Sequence, residues 1–173
     1  MDTFIEQIIK KKKEPIDWFI IIGIFWLAAV IAWAVLSFIS FLLPSLVLVF
    51  WGAWWVATNR NIEFEYSFTN GVMDIDTIIA QRRRKRLCSI TCEKVEVFGE
   101  LAKANLEGRR FDRVIMAAPK RQMEGNYYFI YRSKKYGNTM VIFHPDDRVR
   151  SAFCGALPRL MQIQLEKEAK KQG

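Results

Sequence analysis

From Trp18 to Asn59 the chain contains no Asp, Glu, Lys, Arg or His, which makes 42 consecutive uncharged residues, most of them Ile, Leu, Val, Phe, Trp or Ala. The chain has only 173 residues, and the 114 that follow the run can bury one modest core of their own. They cannot also enclose the run, so a wholly water-soluble reading is excluded. A helix rises about 1.5 Å per residue, so roughly 20 residues cross a hydrocarbon core of about 30 Å. The run is therefore long enough for two crossings and too long for one. Backbone groups in lipid must pair within their own segment, so both crossings are expected to be helical. We place them at about 17–38 and 41–58, joined through Ser37–Ser45, with Pro44 suited to open the second helix.

Flanking charge gives the orientation. Lys10, Lys11, Lys12 and Lys13 precede the run and Arg60 follows it, while the predicted turn is uncharged. Basic residues stay on the cytoplasmic side, so both termini are expected there, in a multi-pass protein of the cell membrane. Trp18, Trp54 and Trp55 fall at the predicted interface, where an indole buries its ring and wets its N–H. A cleaved signal peptide fits poorly, because the apolar stretch runs on past Ala32-Trp33-Ala34. In residues 1–16, Phe4, Ile5, Ile8 and Ile9 form one face of a short helix. With the lysines after it, that segment is expected to lie on the membrane surface.

Net charge is +8, and all of the excess lies between Arg60 and Gly173. There the pattern switches to period two. Ile62, Phe64, Tyr66 and Phe68 alternate with polar residues, and Asn70-Gly71 supplies a type I′ hairpin turn before a return strand over 72–79. Further strands are predicted near 83–91, 94–98, 111–118, 126–132 and 139–143. Residues 99–108 read as either a helical turn or a loop. Asp146 then caps an amphipathic helix, which Gly155 and Pro158 kink or break before a charged tail from Glu166.

Seven short antiparallel strands followed by a C-terminal helix resemble a pleckstrin-homology-like (PH-like) barrel. The resemblance is carried by 61–71 (Asn-Ile-Glu-Phe-Glu-Tyr-Ser-Phe-Thr-Asn-Gly), Asp74-Ile75-Asp76, the basic run before Leu87, and Phe143-His144-Pro145-Asp146. With two helices in front, the whole chain resembles an uncharacterised family of short Gram-positive membrane proteins with PH-like domains. The expected architecture is thus a membrane helical hairpin plus a cytoplasmic α+β domain over 60–173, a seven-stranded PH-like barrel. These motifs are structural, and fold alone does not settle function.

The conspicuous local feature is Arg82-Arg83-Arg84-Lys85-Arg86. On a strand, Arg82, Arg84 and Arg86 point one way and Arg83 and Lys85 the other. A buried face cannot hold such unpaired charges, so the run belongs at a hairpin end or a sheet edge. Two readings remain. One is a solvated edge. The other, with Lys10–Lys13, is contact with anionic lipid at about 1 kcal/mol per basic residue. Nucleic acid is disfavoured, because Tyr127, Tyr128 and Tyr131 alternate along a strand instead of forming one stacking platform. Asp74 and Asp76 share a strand face, where pairing with nearby arginine is expected. Cys88, Cys92 and Cys154 form no CxxC and are expected to be reduced core residues. No cofactor, metal or catalytic constellation is indicated. The expectation is a non-catalytic interaction module whose basic domain engages anionic lipid, a protein partner or both. The alternatives are a nucleic-acid-binding membrane factor or an uncharacterised enzyme. Gly52, Ala53, Ala57 and the Ala28-Ala29-Ala32 group would allow close helix contact and self-association.

Overall fold

The computed structural model describes residues 4–38, 43–104, 106, 108–121 and 123–170. Strand β1 (Phe4–Lys10) leads into helices α1 (Pro15–Phe38) and α2 (Leu43–Thr58). Strands β2 (Ile62–Thr69), β3 (Val72–Ile79) and β4 (Arg83–Thr91) follow, then β5 (Val95–Glu100), β6 (Arg113–Ala117), β7 (Tyr127–Ser133) and β8 (Gly137–Phe143). Helices α3 (Asp147–Ala156) and α4 (Arg159–Lys170) complete the described chain.

The first segment is not a surface helix. It is a strand, paired antiparallel with β2 from Phe4↔Thr69 to Lys10↔Glu63. Positions 4, 5, 8 and 9 fit a helical stripe, but an open edge on β2 decides the matter, because it offers a ladder of backbone bonds. Ile5 and Ile9 turn inward against the core, and Phe4 and Ile8 are left exposed. Gln7 also faces inward. Its Nε2 donates to the His144 carbonyl at 3.2 Å, and its Oε1 accepts from the Asp146 N–H at 2.8 Å.

This extra strand alters the expected barrel. There are two four-stranded sheets, in the orders β1-β2-β3-β4 and β5-β7-β8-β6, in place of a single seven-stranded barrel. The pairing is not all antiparallel either, because β6 runs parallel to β8. The β7–β8 hairpin takes the place beside β5, and β6 is left the far edge of β8, where its direction matches. The Asn70-Gly71 turn forms as its sequence requires, with φ of +46° and +80°. Asp146 caps α3 by accepting from the Val149 N–H at 2.8 Å. The C-terminal helix is broken in two at Leu157-Pro158, as expected there, since Pro158 has no N–H to continue the ladder.

The core lies between the sheets and α3. Phe129, Phe143 and Phe153 are fully buried, with ring centroids 5.4–5.8 Å apart. Tyr66 sits edge-on to Phe143 at 5.8 Å. Its hydroxyl donates to the Ala117 carbonyl and accepts from the His144 N–H at 3.2 Å, so one buried side chain ties β2 to β6 and β8. Tyr128, Ile130, Met140 and Ile142 form a second cluster under the 101–111 connection. The second sheet is thus covered on both faces.

Helix α1 is long and apolar enough to cross a membrane. Residues such as Phe19, Trp26 and Trp33 stand about 70% exposed on it. Helix α2 is apolar but has 16 residues, about 24 Å. The two helices pack together through small residues: Ala28, Ala32 and Ala53, flagged for contact between chains, are buried within this one. Residues 39–42 of the predicted connection lie outside the described residues, as do 171–173 of the charged tail.

Candidate functional site

In the first sheet, β1 ends, β2 begins, β3 ends and β4 begins at one end, the end that carries the helices. The registers Lys10↔Glu63, Ile62↔Ile79 and Ile79↔Arg83 fix this row. The two basic clusters, far apart in sequence, therefore meet. Lys10, Lys11, Lys13 and Arg82 line one cavity of about 410 Å³, together with Thr58 and Asn61. Lys13 lies 5.2 Å from the Trp18 ring centroid, and Arg82 lies 5.7 Å from that of Trp54. Each cation thus stands against an indole at the foot of a helix, an arrangement that stabilises both groups at a wet interface. Asp17 is buried and accepts from the Glu14 N–H at 3.1 Å, and its carboxylate stands 3.7 Å from Arg60. That pair links the start of α1 to the residues just after α2.

The β3–β4 turn at this end is unusual. Ala80 and Gln81 both have positive φ, +52° and +56°, without a glycine. The turn is closed by the Arg82 N–H to the Ile79 carbonyl at 3.0 Å and anchored by the Ala80 N–H to the Asn61 carbonyl at 2.7 Å. Backbone strain of about 1 kcal/mol or more per residue is held there.

The basic run divides as its alternation predicts. A β-bulge between Ile75 and Asp76 in the β3–β4 register makes Leu87 the extra residue on β4. Upstream of it, Arg84 and Arg86 fall on the outer face with the acids of β2 and β3. Arg84 bonds Glu65 and also reaches Asp76 at 3.2 Å. Arg86 reaches Asp76 at 2.9 Å and Asp74 at 3.1 Å. Glu65 and Asp76 are about 5% exposed, so these arginines neutralise carboxylates that the sheet has taken out of water. The carboxylates in turn hold the Arg86 pKa above its usual value, the bond to Asp76 most of all. Arg83 and Lys85 are exposed and have no acidic partner among the described residues. The cations at the helix end with no acidic partner among the described residues are therefore Arg82, Arg83, Lys85 and the lysines after β1, Arg82 and Lys13 resting on indoles. Arg84 and Arg86 are committed to the sheet.

A second cavity, of about 550 Å³, opens between the inner face of the first sheet and β6. Its floor is apolar, from Ile62, Phe64, Leu87 and Ile115. Its rim carries Lys11, Arg113, Lys120 and Arg121, and Glu14 is the one carboxylate among its described lining residues. Of this rim, only Lys11 belongs to a cluster evident in the sequence. Lys120 and Arg121 are neighbours in the chain and Arg113 lies apart, and only the fold sets them on one cavity with Lys11.

The cysteines, tyrosines and histidine weighed in the sequence lie in the core or at its margin. Burial pushes the Cys88 and Cys92 thiols up to about 12, so both are inert core residues. Tyr127 stacks on Phe98 with centroids 5.6 Å apart and accepts from Arg150 at 2.9 Å. Tyr128 is buried on the opposite face of the same sheet, so the tyrosines make no open stacking surface. His144 packs behind β8, with Nδ1 3.1 Å from the Asn126 oxygen. Among the described residues no group of three or more His, Cys, Asp or Glu could hold a metal ion.

Neither the curated proteins nor the solved structures yield a match to this chain. A family model does match, over residues 1–163, and so takes in β1, both apolar helices, the two sheets and α3. With its two sheets and C-terminal helices preceded by an apolar helix, the chain belongs to the bacterial PH-like domain family DUF6106.

Proposed function

We propose that the protein is a membrane-anchored, non-catalytic interaction module of the bacterial cell membrane, whose PH-like domain lies against the cytoplasmic face and engages anionic lipid there. The observation that carries this reading is the place of the helices in the chain. They are inserted between two strands paired over seven residues, and the Lys11 N–H still donates to the Ile62 carbonyl at 2.9 Å. The chain thus leaves the sheet and returns to it at one point. If α1 crosses the bilayer, α2 must bring the chain back. A 16-residue helix can do so with local thinning and interfacial anchoring by Trp54 and Arg82.

The helix-end cations sit at that same point, within headgroup reach. Tethering already supplies a high local concentration, so a few cations at about 1 kcal/mol each suffice to hold the domain against anionic lipid. A protein partner would then meet a domain of fixed orientation. The test uses the full chain in nanodiscs of phosphatidylcholine, with and without phosphatidylglycerol, and follows tryptic cleavage at Lys10–Lys13 and Arg82–Arg83. Anionic lipid should slow cleavage at these positions and leave cleavage at the distant Lys134 unchanged. Equal rates in both lipids would refute the reading.

A further inference from the structure

We infer that the 550 Å³ cavity between β6 and the first sheet is a headgroup site for one anionic phospholipid, held by Lys11, Arg113, Lys120 and Arg121. The inference rests on the apposition proposed above and goes further, from a basic surface to one built site. Its volume falls in the usual range for small-molecule sites. Four cations line it against one carboxylate, and none of the four has an acidic partner among the described residues, although the Arg113 guanidinium lies 4.1 Å over the Tyr136 ring. The Lys12–Pro119 backbone bond brings Lys11 beside Lys120 and Arg121, and these three cations repel one another unless an anion joins them. The apolar floor distinguishes the site from a solvated cationic patch, because it can take the glycerol and upper acyl carbons that follow a phosphate. Lys11 and Glu14 on its lining immediately precede α1, which brings the opening to the headgroup level.

The loop carrying Lys120 and Arg121 is held in place by buried groups. Asn126 is 1% exposed, and its Nδ2 donates to the carbonyls of Lys120 at 2.9 Å and Arg121 at 3.2 Å. With that amide used as donor, its oxygen accepts from His144 Nδ1, which fixes the asparagine's orientation. The Lys12 N–H donates to the Pro119 carbonyl at 3.2 Å and the Tyr66 hydroxyl to that of Ala117. Four of the five carbonyls from Ala117 to Arg121 are thus tied back, and the two exposed cations are carried on a fixed backbone. Preorganisation of this kind lowers the cost of binding.

The test is native mass spectrometry of the full chain in a neutral detergent, titrated with phosphatidylglycerol, phosphatidylcholine or glycerol phosphate. One phosphatidylglycerol should be retained per chain, and phosphatidylcholine should not. Arg113→Gln, Lys120→Gln and Arg121→Gln together should weaken retention about a hundredfold, at roughly fivefold per cation. Arg113→Lys with Arg121→Lys should preserve it, which separates loss of charge from loss of fold. Wild-type retention by the triple glutamine variant overturns the inference. If a variant with Arg82→Gln, Arg83→Gln and Lys85→Gln loses the lipid instead, the broader basic surface survives and this cavity does not. If neither variant loses it, both readings fall. Glycerol phosphate binding as tightly as the lipid, with the same sensitivity to the triple variant, overturns the lipid assignment in favour of a soluble phosphate.

Discussion

Replacing residues 12–61 with Asn-Gly, so that Lys11-Asn-Gly-Ile62 closes the β1–β2 hairpin directly, should leave a soluble, folded domain without the apolar helices. The register permits it, since Lys11 and Ile62 are already hydrogen-bonded neighbours at the end of an antiparallel pair. A two-residue type I′ loop fits such an end. The change removes the Ala80–Asn61 and Lys12–Pro119 backbone bonds and the Arg82–Trp54 contact, together about 3 kcal/mol. Shortening the connection recovers at most about 3 kcal/mol of closure entropy, so stability should be nearly unchanged.

A fragment that begins at Arg60 behaves differently. It lacks Ile5 and Ile9, half-buried against the core, and both Gln7 hydrogen bonds. Those losses sum to about 4 kcal/mol, a large part of the 5–15 kcal/mol expected of a small domain. Urea denaturation should show a cooperative transition for the closed chain, and for the fragment a much lower midpoint or aggregation. Equal midpoints would refute the placement of β1 in the sheet.

Three further outcomes follow from single sites. Tyr66→Phe should cost about 2–4 kcal/mol in urea denaturation of the closed chain, because the Ala117 carbonyl and His144 N–H are left buried without a partner. Ala80→Asn with Gln81→Gly should raise stability by about 1–2 kcal/mol, because the left-handed backbone at both positions then carries residues that tolerate it. Burial, followed by the nearby Lys12 charge, holds the His144 pKa below its ordinary 6.5. The unfolded chain therefore binds the proton first, and stability should fall as pH drops through about 6.5 toward the folded pKa. With one histidine in the chain, His144→Asn should flatten that slope; an unchanged slope would contradict the assignment.

The sequence made some of this fold legible and hid the rest for physical reasons. Asn70-Gly71, the alternation from Ile62 to Phe68 and the Asp146 cap are local signals, and each produced the predicted turn, strand or helix start. The first segment failed as a local signal. Its apolar positions fit a helical stripe, and only the edge of β2, beyond the whole apolar run, makes it a strand. The alternation of the arginine run was readable. Glu65 as the partner that takes up Arg84 was not, because it depends on cross-strand register and on the bulge at Leu87. Arg113 and the Lys120-Arg121 pair stand apart in the chain and far from Lys11, and a parallel pairing and a loop clamped by Asn126 set them on one cavity with it.

The most direct measurement of the central claim is thiol accessibility across intact cells. Cys88 and Cys92 are buried and can remain, and Cys154→Ala removes the half-buried third thiol. Into this background go Glu6→Cys, Lys134→Cys or Ser37→Cys, one at a time; Ser37 is exposed near the end of α1. A helical hairpin that leaves the sheet and returns to it predicts that a membrane-impermeant maleimide labels the Ser37 site from outside, and the Glu6 and Lys134 sites only after permeabilisation. Labelling of Glu6 and Lys134 from opposite sides of the membrane would contradict the pairing of β1 with β2 and, with it, the proposed function.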